Sequence, residues 1–241
     1  MIENITDYPW FTFLVLAGFL LDWLAIACKW KQLKPFTKPL AMVLLIVWTL
    51  IASSWNVDLF VGLLLLAQIS GLVGDAFLLL SNRWFLWGLF SFLLGHFFYL
   101  GLLVLIAVRQ QMSDTLWGMT WSGIACAVIW AGIMTGIYLI FRPHFKQRAH
   151  GSVLWSALQI YIWILSAMVI GAIWITLSQS KIISLSLFLP VGGMLFLLSD
   201  LILAYDRFVD NLNYAQLSVR ITYHMAQLCL AMGLLFLHTR V

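Results

Sequence analysis

The stretch Asp58–Leu80, DLFVGLLLLAQISGLVGDAFLLL, decides the fold. Between Asp58 and Asp75 it carries no charge, and its length is close to the ~20 residues an α-helix needs to cross ~30 Å of hydrocarbon. Asp75 sits inside this apolar run. A carboxylate at membrane depth costs a few kcal/mol or more, so it is normally paired, turned toward an internal cavity, or engaged in chemistry. Asp22 and Asp200 lie in the same kind of surroundings.

Working outward, the same pattern recurs along the chain. Apolar stretches run from Trp10 to Cys28, Lys38 to Ser53, Asp58 to Leu80, Trp84 to Val108, Leu116 to Phe141, Val153 to Ser178, Ile182 to Ala204 and Val219 to His238. A chain of 241 residues that is 63% hydrophobic and 9% charged, with a mean hydropathy of +1.01, is not a soluble globule. The expectation is an all-α, polytopic integral membrane protein, a bundle of eight transmembrane helices forming one domain over residues 1–241. The connections are too short to fold separately, and none is a Gly/Ser linker. The first span is followed by a basic loop with no small-residue cleavage site, so it reads as a retained helix rather than a removable signal.

Basic residues set the expected topology, because Lys and Arg collect on the cytoplasmic side of short loops. With eight spans, ten of the thirteen Lys and Arg fall on one side, leaving Arg109, Lys181 and Arg240 opposite. Both termini are therefore expected on the non-cytoplasmic side. The formal charge of +4 is a topology signal suited to anionic headgroups and requires no nucleic acid. In this orientation Asp75, Asp200 and Asp22 lie ~1 to 2 helical turns inside the cytoplasmic surface. Tyr223, His224 and Gln227 fall near the start of the last helix, and His96 and Tyr99 somewhat deeper on the fourth. Polar residues from five helices thus gather in the cytoplasmic half.

Gly18, Gly71, Gly74, Gly95, Gly192 and Gly193 precede these polar groups; they serve either close helix packing or the site itself. Gln68 lies two turns before Asp75 on nearly the same face and is a candidate to orient its carboxyl. Asp22 either lines the cavity or makes a structural contact, for instance with Lys38. Lys38, Arg83 and Arg207 are candidates to receive a lipid phosphate, or are ordinary positive-inside charge. His96, Tyr99, Tyr223 and Gln227 read either as hydrogen-bonding groups around the carboxyls or as satisfied helix contacts. The cysteines Cys28, Cys126 and Cys229 have no paired spacing, so no disulfide framework, metal site or other cofactor is expected. A short internal echo, Gly74-Asp75 followed by Tyr99 and Ser199-Asp200 followed by Tyr223, reads either as two parallel repeats of four spans or as chance.

In order, the chain contains Gly74-Asp75-Ala76-Phe77-Leu78-Leu79, Gly95-His96-Phe97-Phe98-Tyr99, Ser199-Asp200-Leu201-Ile202-Leu203-Ala204 and Tyr223-His224-Met225-Ala226-Gln227. With Thr37-Lys38-Pro39-Leu40 before them, these motifs resemble the YhhN family of lysoplasmalogenases from about Lys38 to Leu230. Asp22 lies outside these stretches, and the resemblance carries no role over to it or to His224. The resemblance implies hydrolysis of the vinyl ether bond of a lysophospholipid, giving a fatty aldehyde and a glycerophospho-base such as glycerophosphocholine or glycerophosphoethanolamine. The expected setting is the bacterial cytoplasmic membrane, with membrane lipids around the protein and, from the charge distribution, its site in the cytoplasmic half.

The residues fit that chemistry on their own account. A vinyl ether opens by protonation of its outer alkene carbon, and water captures the resulting oxocarbenium ion. The reaction needs one acid and one carboxylate, as paired carboxyls serve glycosidases. A carboxyl in apolar surroundings or beside another carboxylate can hold a proton near neutrality. Asp75 and Asp200 are the expected catalytic pair, with Lys38, His96, Tyr99, Tyr223, Gln227, Gln68 and Asp22 in supporting or substrate-binding places. Two other classes compete: a proton-coupled transporter, since intramembrane Asp and His also relay protons, and a metal-dependent lipid hydrolase, which needs three convergent ligands.

Overall fold

The computed structural model describes residues 9–109, 152–178 and 185–239, together with residues 128, 130–132, 134–139 and 142–143. Among the described residues regular structure is entirely helical, and seven helices are long and apolar enough to cross a membrane. They are α1 (Pro9–Ala27), α2 (Lys34–Ala52), α3 (Leu59–Leu79), α4 (Phe85–Arg109), α5 (Ser152–Leu177), α6 (Phe188–Phe208) and α7 (Ala215–His238). The chain is an integral, multi-pass membrane protein. The fifth expected span, Leu116–Phe141, lies for the most part outside the described residues; a shorter apolar helix, Trp130–Leu139, falls within it.

Helix ends differ from the hydropathy edges for local reasons. The α2 helix begins at Lys34 rather than Lys38, because Pro35 in the first turn sacrifices only an N–H that had no helical partner. That shift carries Lys38 a full turn into the helix. The Asp58 carboxylate caps α3 by accepting the Val61 N–H at 2.9 Å. The α6 helix starts at Phe188, with Pro190 in its first turn, and continues past Ala204 to Phe208. Hydropathy marked Asp206 and Arg207 as the end of the apolar run; the backbone hydrogen bonding continues through them.

Helices consecutive among the described residues alternate in direction, with one exception. The Trp48 indole donates to Thr12 at 3.0 Å and Thr37 to Asp22 at 2.6 Å, which fixes α1 and α2 as antiparallel. Gln68 donates to Thr49 at 2.8 Å, pairing α3 with α2 in the same manner. The α4 and α5 helices run parallel instead: Phe85 clusters with Leu158 near their starts, His96 meets Tyr161 further along, and Leu103 lies against Gly171 beyond.

The most enclosed helix is α7. It meets α6 backbone to backbone: a methyl group on Gly192 would lie 2.8 Å from the Leu230 nitrogen, and one on Gly233 2.7 Å from the Leu189 nitrogen. Such closeness lets dispersion and packing, rather than expulsion of water, hold helices together in lipid. Large side chains such as Phe13, Phe36, Trp87 and Trp163 point outward, as they should on a surface bathed in hydrocarbon. The α1 helix starts and α7 ends at the same end of the bundle, where His238 Nε2 is 3.2 Å from Asp58 and the His238 ring stacks on Phe60. The charged residues of greater interest gather toward the opposite end.

Candidate functional site

The ammonium of Lys38, on α2, lies 2.7 Å from Asp75 Oδ1 on α3. Lys38 was expected at the rim as a phosphate contact; the early start of α2 instead turns it into the bundle, where it is buried against this carboxylate. The other carboxylate oxygen, Asp75 Oδ2, is buried, and the carboxylate meets the Tyr223 hydroxyl of α7, which also neighbours Gln227. The Tyr223 ring is held edge-on by Phe92 and Phe196.

Asp200, on α6, has a different partner set. The Tyr161 hydroxyl of α5 donates to Asp200 Oδ2 at 2.5 Å, and His96 Nε2 of α4 lies 3.0 Å from the same hydroxyl and 3.9 Å from the carboxylate. With the single Tyr161 proton committed to Asp200, His96 must carry its proton on Nε2 and donate it to the tyrosine oxygen. Its Nδ1 is then a buried acceptor with no partner. The Asp200 side chain is 19% exposed, against 1% for Asp75. One carboxyl is sealed against a cation, and the other opens onto empty space.

That space consists of two adjoining cavities. The larger holds about 850 Å³ of empty volume, counting the part open to the surroundings, and has an apolar wall that includes Phe85, Leu89, Leu158, Leu165 and Leu197. Tyr138, Gln159, Tyr161 and Asp200 are the polar residues of its wall. The smaller, of about 300 Å³, is lined by Lys38, Asp75, Ser199, Asp200, Arg220 and Tyr223, among others. Leu78, Phe92, Asp200 and Leu203 belong to both walls. Asp200 therefore stands where a polar chamber meets an apolar one.

Other expected residues are drawn in to different degrees. Tyr99 donates to Gln227 Oε1 at 2.5 Å, and Gln227 packs beside Tyr223 against Gly71. Gln68 bonds Thr49 rather than Asp75, because its face of α3 turns toward α2 at that depth. Asp22 pairs with Arg220, whose Nη1 reaches both carboxylate oxygens at 2.6 and 2.7 Å, and with Thr37; it does not pair with Lys38. His224 accepts the Trp23 indole N–H at 3.1 Å and stacks on Phe19, leaving its buried Nε2 unpartnered. Arg83 and Arg207 lie over the rings of Trp84 and Phe85. Among the described residues, no three His, Cys, Asp or Glu side chains converge as metal ligands would.

Two residues of the cluster escape sequence reasoning. Tyr161 lies in a long apolar run that reads only as a span, and nothing local distinguishes it from a packing aromatic. Arg220 was counted as positive-inside charge; its signal was its spacing, since Arg220, Tyr223 or His224, and Gln227 form one helical stripe.

The acids also cross-connect the halves of the chain. Each sits on the middle helix of a consecutive set, α2–α3–α4 or α5–α6–α7, and is held by the first helix of its own set: Lys38 for Asp75, Tyr161 for Asp200. The last helix of each set reaches across to the other acid: His96 lies near Asp200, and Tyr223 beside Asp75.

These features define a polytopic helical membrane protein with two carboxyls in a polar cluster beside an apolar chamber. The sequence profile of the YhhN family matches residues 33–234, which covers every helix of the cluster except α1, and the chain belongs to that family. No curated protein and no solved structure gives a significant match.

Proposed function

We propose that this protein is a lysoplasmalogenase-type hydrolase that cleaves the vinyl ether bond of alkenyl lysophospholipids. The observation that carries the reading is the position of Asp200, at the junction of the apolar and polar cavities, with Asp75 across the smaller one. Family membership supports the same reaction class.

In this reading the alkenyl chain occupies the apolar cavity, whose wall of Phe85, Leu89, Leu158, Leu165 and Leu197 suits a hydrocarbon chain. Asp200 is the acid. Its proton goes to the outer alkene carbon, the π pair forms the new C–H bond, and positive charge develops on the ether-bearing carbon and oxygen. Before transfer, the ammonium of Lys38 and guanidinium of Arg220 balance the carboxylates of Asp75 and Asp22. Afterwards the cluster carries one net negative charge opposite the cation, preorganised and away from bulk water, where such stabilisation is strongest.

Asp75 is the acceptor for the attacking water, since it stands in the wall of the polar chamber beside Tyr223 and Lys38 engages only its Oδ1. Water adds to the ether-bearing carbon and gives its proton to Asp75. The resulting hemiacetal collapses as the glycerol oxygen leaves with a proton and the hydroxyl proton is lost, giving the aldehyde. One water is consumed, and a proton returns from Asp75 to Asp200 through the cavity they share. Tyr161 and His96 orient the acid.

The decisive experiment incubates purified protein with an alkenyl lysolipid and with its saturated ether analogue. Aldehyde is expected from the first only. Turnover of both, or of neither, sinks the proposal, and proton flux in proteoliposomes without lipid turnover would assign the cluster to transport instead.

A further inference from the structure

We infer that Arg207 receives the substrate's phosphate and thereby sets the vinyl ether against Asp200, an assignment that rests on the reaction proposed above. Arg207 and Asp200 share α6 and are seven residues apart. Two helical turns separate them, so they lie on nearly the same face about 10 Å apart along the axis. Ala204 between them and Phe208 just beyond Arg207 continue the wall of the apolar cavity. The Arg207 guanidinium lies 3.7 Å from the centroid of the Phe85 ring, and Phe85 meets Phe208 edge-on at 6.1 Å. Both rings line the cavity, so this cation stands at its Phe85–Phe208 end.

The substrate's own dimensions match. Seven bonds join the protonated carbon of an alkenyl lysolipid to its phosphorus, and at the ~1.2 Å advance per bond of an extended chain they span about 8 Å. The flexible arginine side chain covers the small remainder. With the phosphate on Arg207, the reacting carbon falls at Asp200 and the hydrocarbon tail runs on past Leu165 and Leu197.

The other cations near the cavities are committed. Lys38 is paired with Asp75 and Arg220 with Asp22, and a phosphate there would have to displace a buried carboxylate. Arg83 rests on Trp84, which lines neither cavity, whereas Arg207 rests on Phe85, which does. Among the described residues Arg207 has no carboxylate within ion-pair distance. A guanidinium backed by an aromatic face keeps its fork of N–H donors available to a phosphate.

The test compares an alkenyl lysophospholipid with the phosphate-free alkenylglycerol of equal chain length, in nonionic detergent and phosphate-free buffer. For the unmodified protein the phosphorylated substrate should have the higher kcat/KM. Arg207→Gln should lower kcat/KM on it by about 10- to 100-fold, mostly through KM, and leave alkenylglycerol unchanged. Arg207→Lys should fall between, because a point charge lacks the planar fork. Equal loss on both substrates, no loss on either, or no preference in the unmodified protein overturns the assignment. An Arg207→Gln effect seen only after anionic diacyl lipid is added also overturns it, since the residue would then serve surrounding lipid. Binding of the saturated alkyl lysophospholipid against alkylglycerol, followed by tryptophan fluorescence, separates the two claims. Arg207-dependent binding with no aldehyde from any substrate would discard the reaction and leave the phosphate site standing.

Discussion

Lys38 and Asp75 form an ion pair of 2.7 Å in which 8% and 1% of the two side chains are exposed. Charges so enclosed have exchanged hydration for each other, and the loss of either leaves its partner stranded. Asp200 has no such counter-ion; a neutral tyrosine holds one of its oxygens, and its side chain opens to the cavities. Two carboxyls with the same sequence signature have thus been given unlike surroundings, which is how one site supplies both an acid and a base.

Lys38→Ala should therefore be felt first in folding. Stranding the Asp75 carboxylate should cost about 3–5 kcal/mol, read as a lower melting temperature in detergent. Combining Lys38→Met with Asp75→Leu should recover most of that stability without recovering turnover. A stable Lys38→Ala variant that shows only a raised KM would return Lys38 to the role of phosphate contact.

Asp75→Asn and Asp200→Asn should each reduce aldehyde release by ~10²- to 10⁴-fold, the usual cost of losing an acid or base group. An amide can neither protonate carbon nor accept water's proton. Both variants should still insert and elute as folded protein in size-exclusion chromatography. Near-normal turnover in either would remove that residue from the mechanism.

The helical membrane architecture was legible because hydropathy and helix length are one-dimensional properties. The burial of Asp75 and the half-buried place of Asp200 followed from their positions inside spans. Partner choice was not legible, because it depends on helix rotation and on end positions shifted by a single turn. The start of α2 at Lys34 turned Lys38 inward, and packing of α7 against α1 gave Asp22 to Arg220. Tyr161 was hidden for a related reason: a tyrosine in an apolar helix declares its role only when the opposing helix brings it an acid.

Protonation at carbon leaves an isotopic record. In D₂O the aldehyde should carry deuterium at its alpha carbon, and turnover should slow if that transfer limits the rate. Mass spectrometry of the aldehyde, trapped fast enough to outrun exchange, reads this directly. An unlabelled alpha carbon would exclude the route through the oxocarbenium ion.

Tyr161→Phe removes one hydroxyl and should lower kcat by roughly 10-fold or more, in line with loss of a hydrogen bond to a charged group. KM should hardly move. If His96 acts through Tyr161, as the 3.0 Å and 2.5 Å contacts in series indicate, His96→Ala added to Tyr161→Phe should cost far less than the product of the single losses. Fully multiplicative losses in this double-mutant cycle would separate the two residues.

The glycines of α3 and α7 should fail in different ways. A methyl group on Gly71 would lie 2.7 Å from the Tyr223 hydroxyl and 3.1 Å from Gln227 Nε2, which are side-chain ends rather than backbone. Phe92 and Phe196 confine the Tyr223 ring, so the hydroxyl must be pushed away from Asp75 while the helices stay docked. Gly71→Ala should then reduce turnover by about 10²-fold, the scale expected for an ångström of misplacement at a site, with little change in melting temperature. On Gly233 the same methyl would meet the Leu189 nitrogen at 2.7 Å and its Cα at 3.0 Å, atoms that cannot give way unless α6 and α7 part. Gly233→Ala should instead cost about 1–3 kcal/mol of stability, as overpacking does. Undiminished turnover in Gly71→Ala would exclude Tyr223 and Gln227 from the reacting cluster.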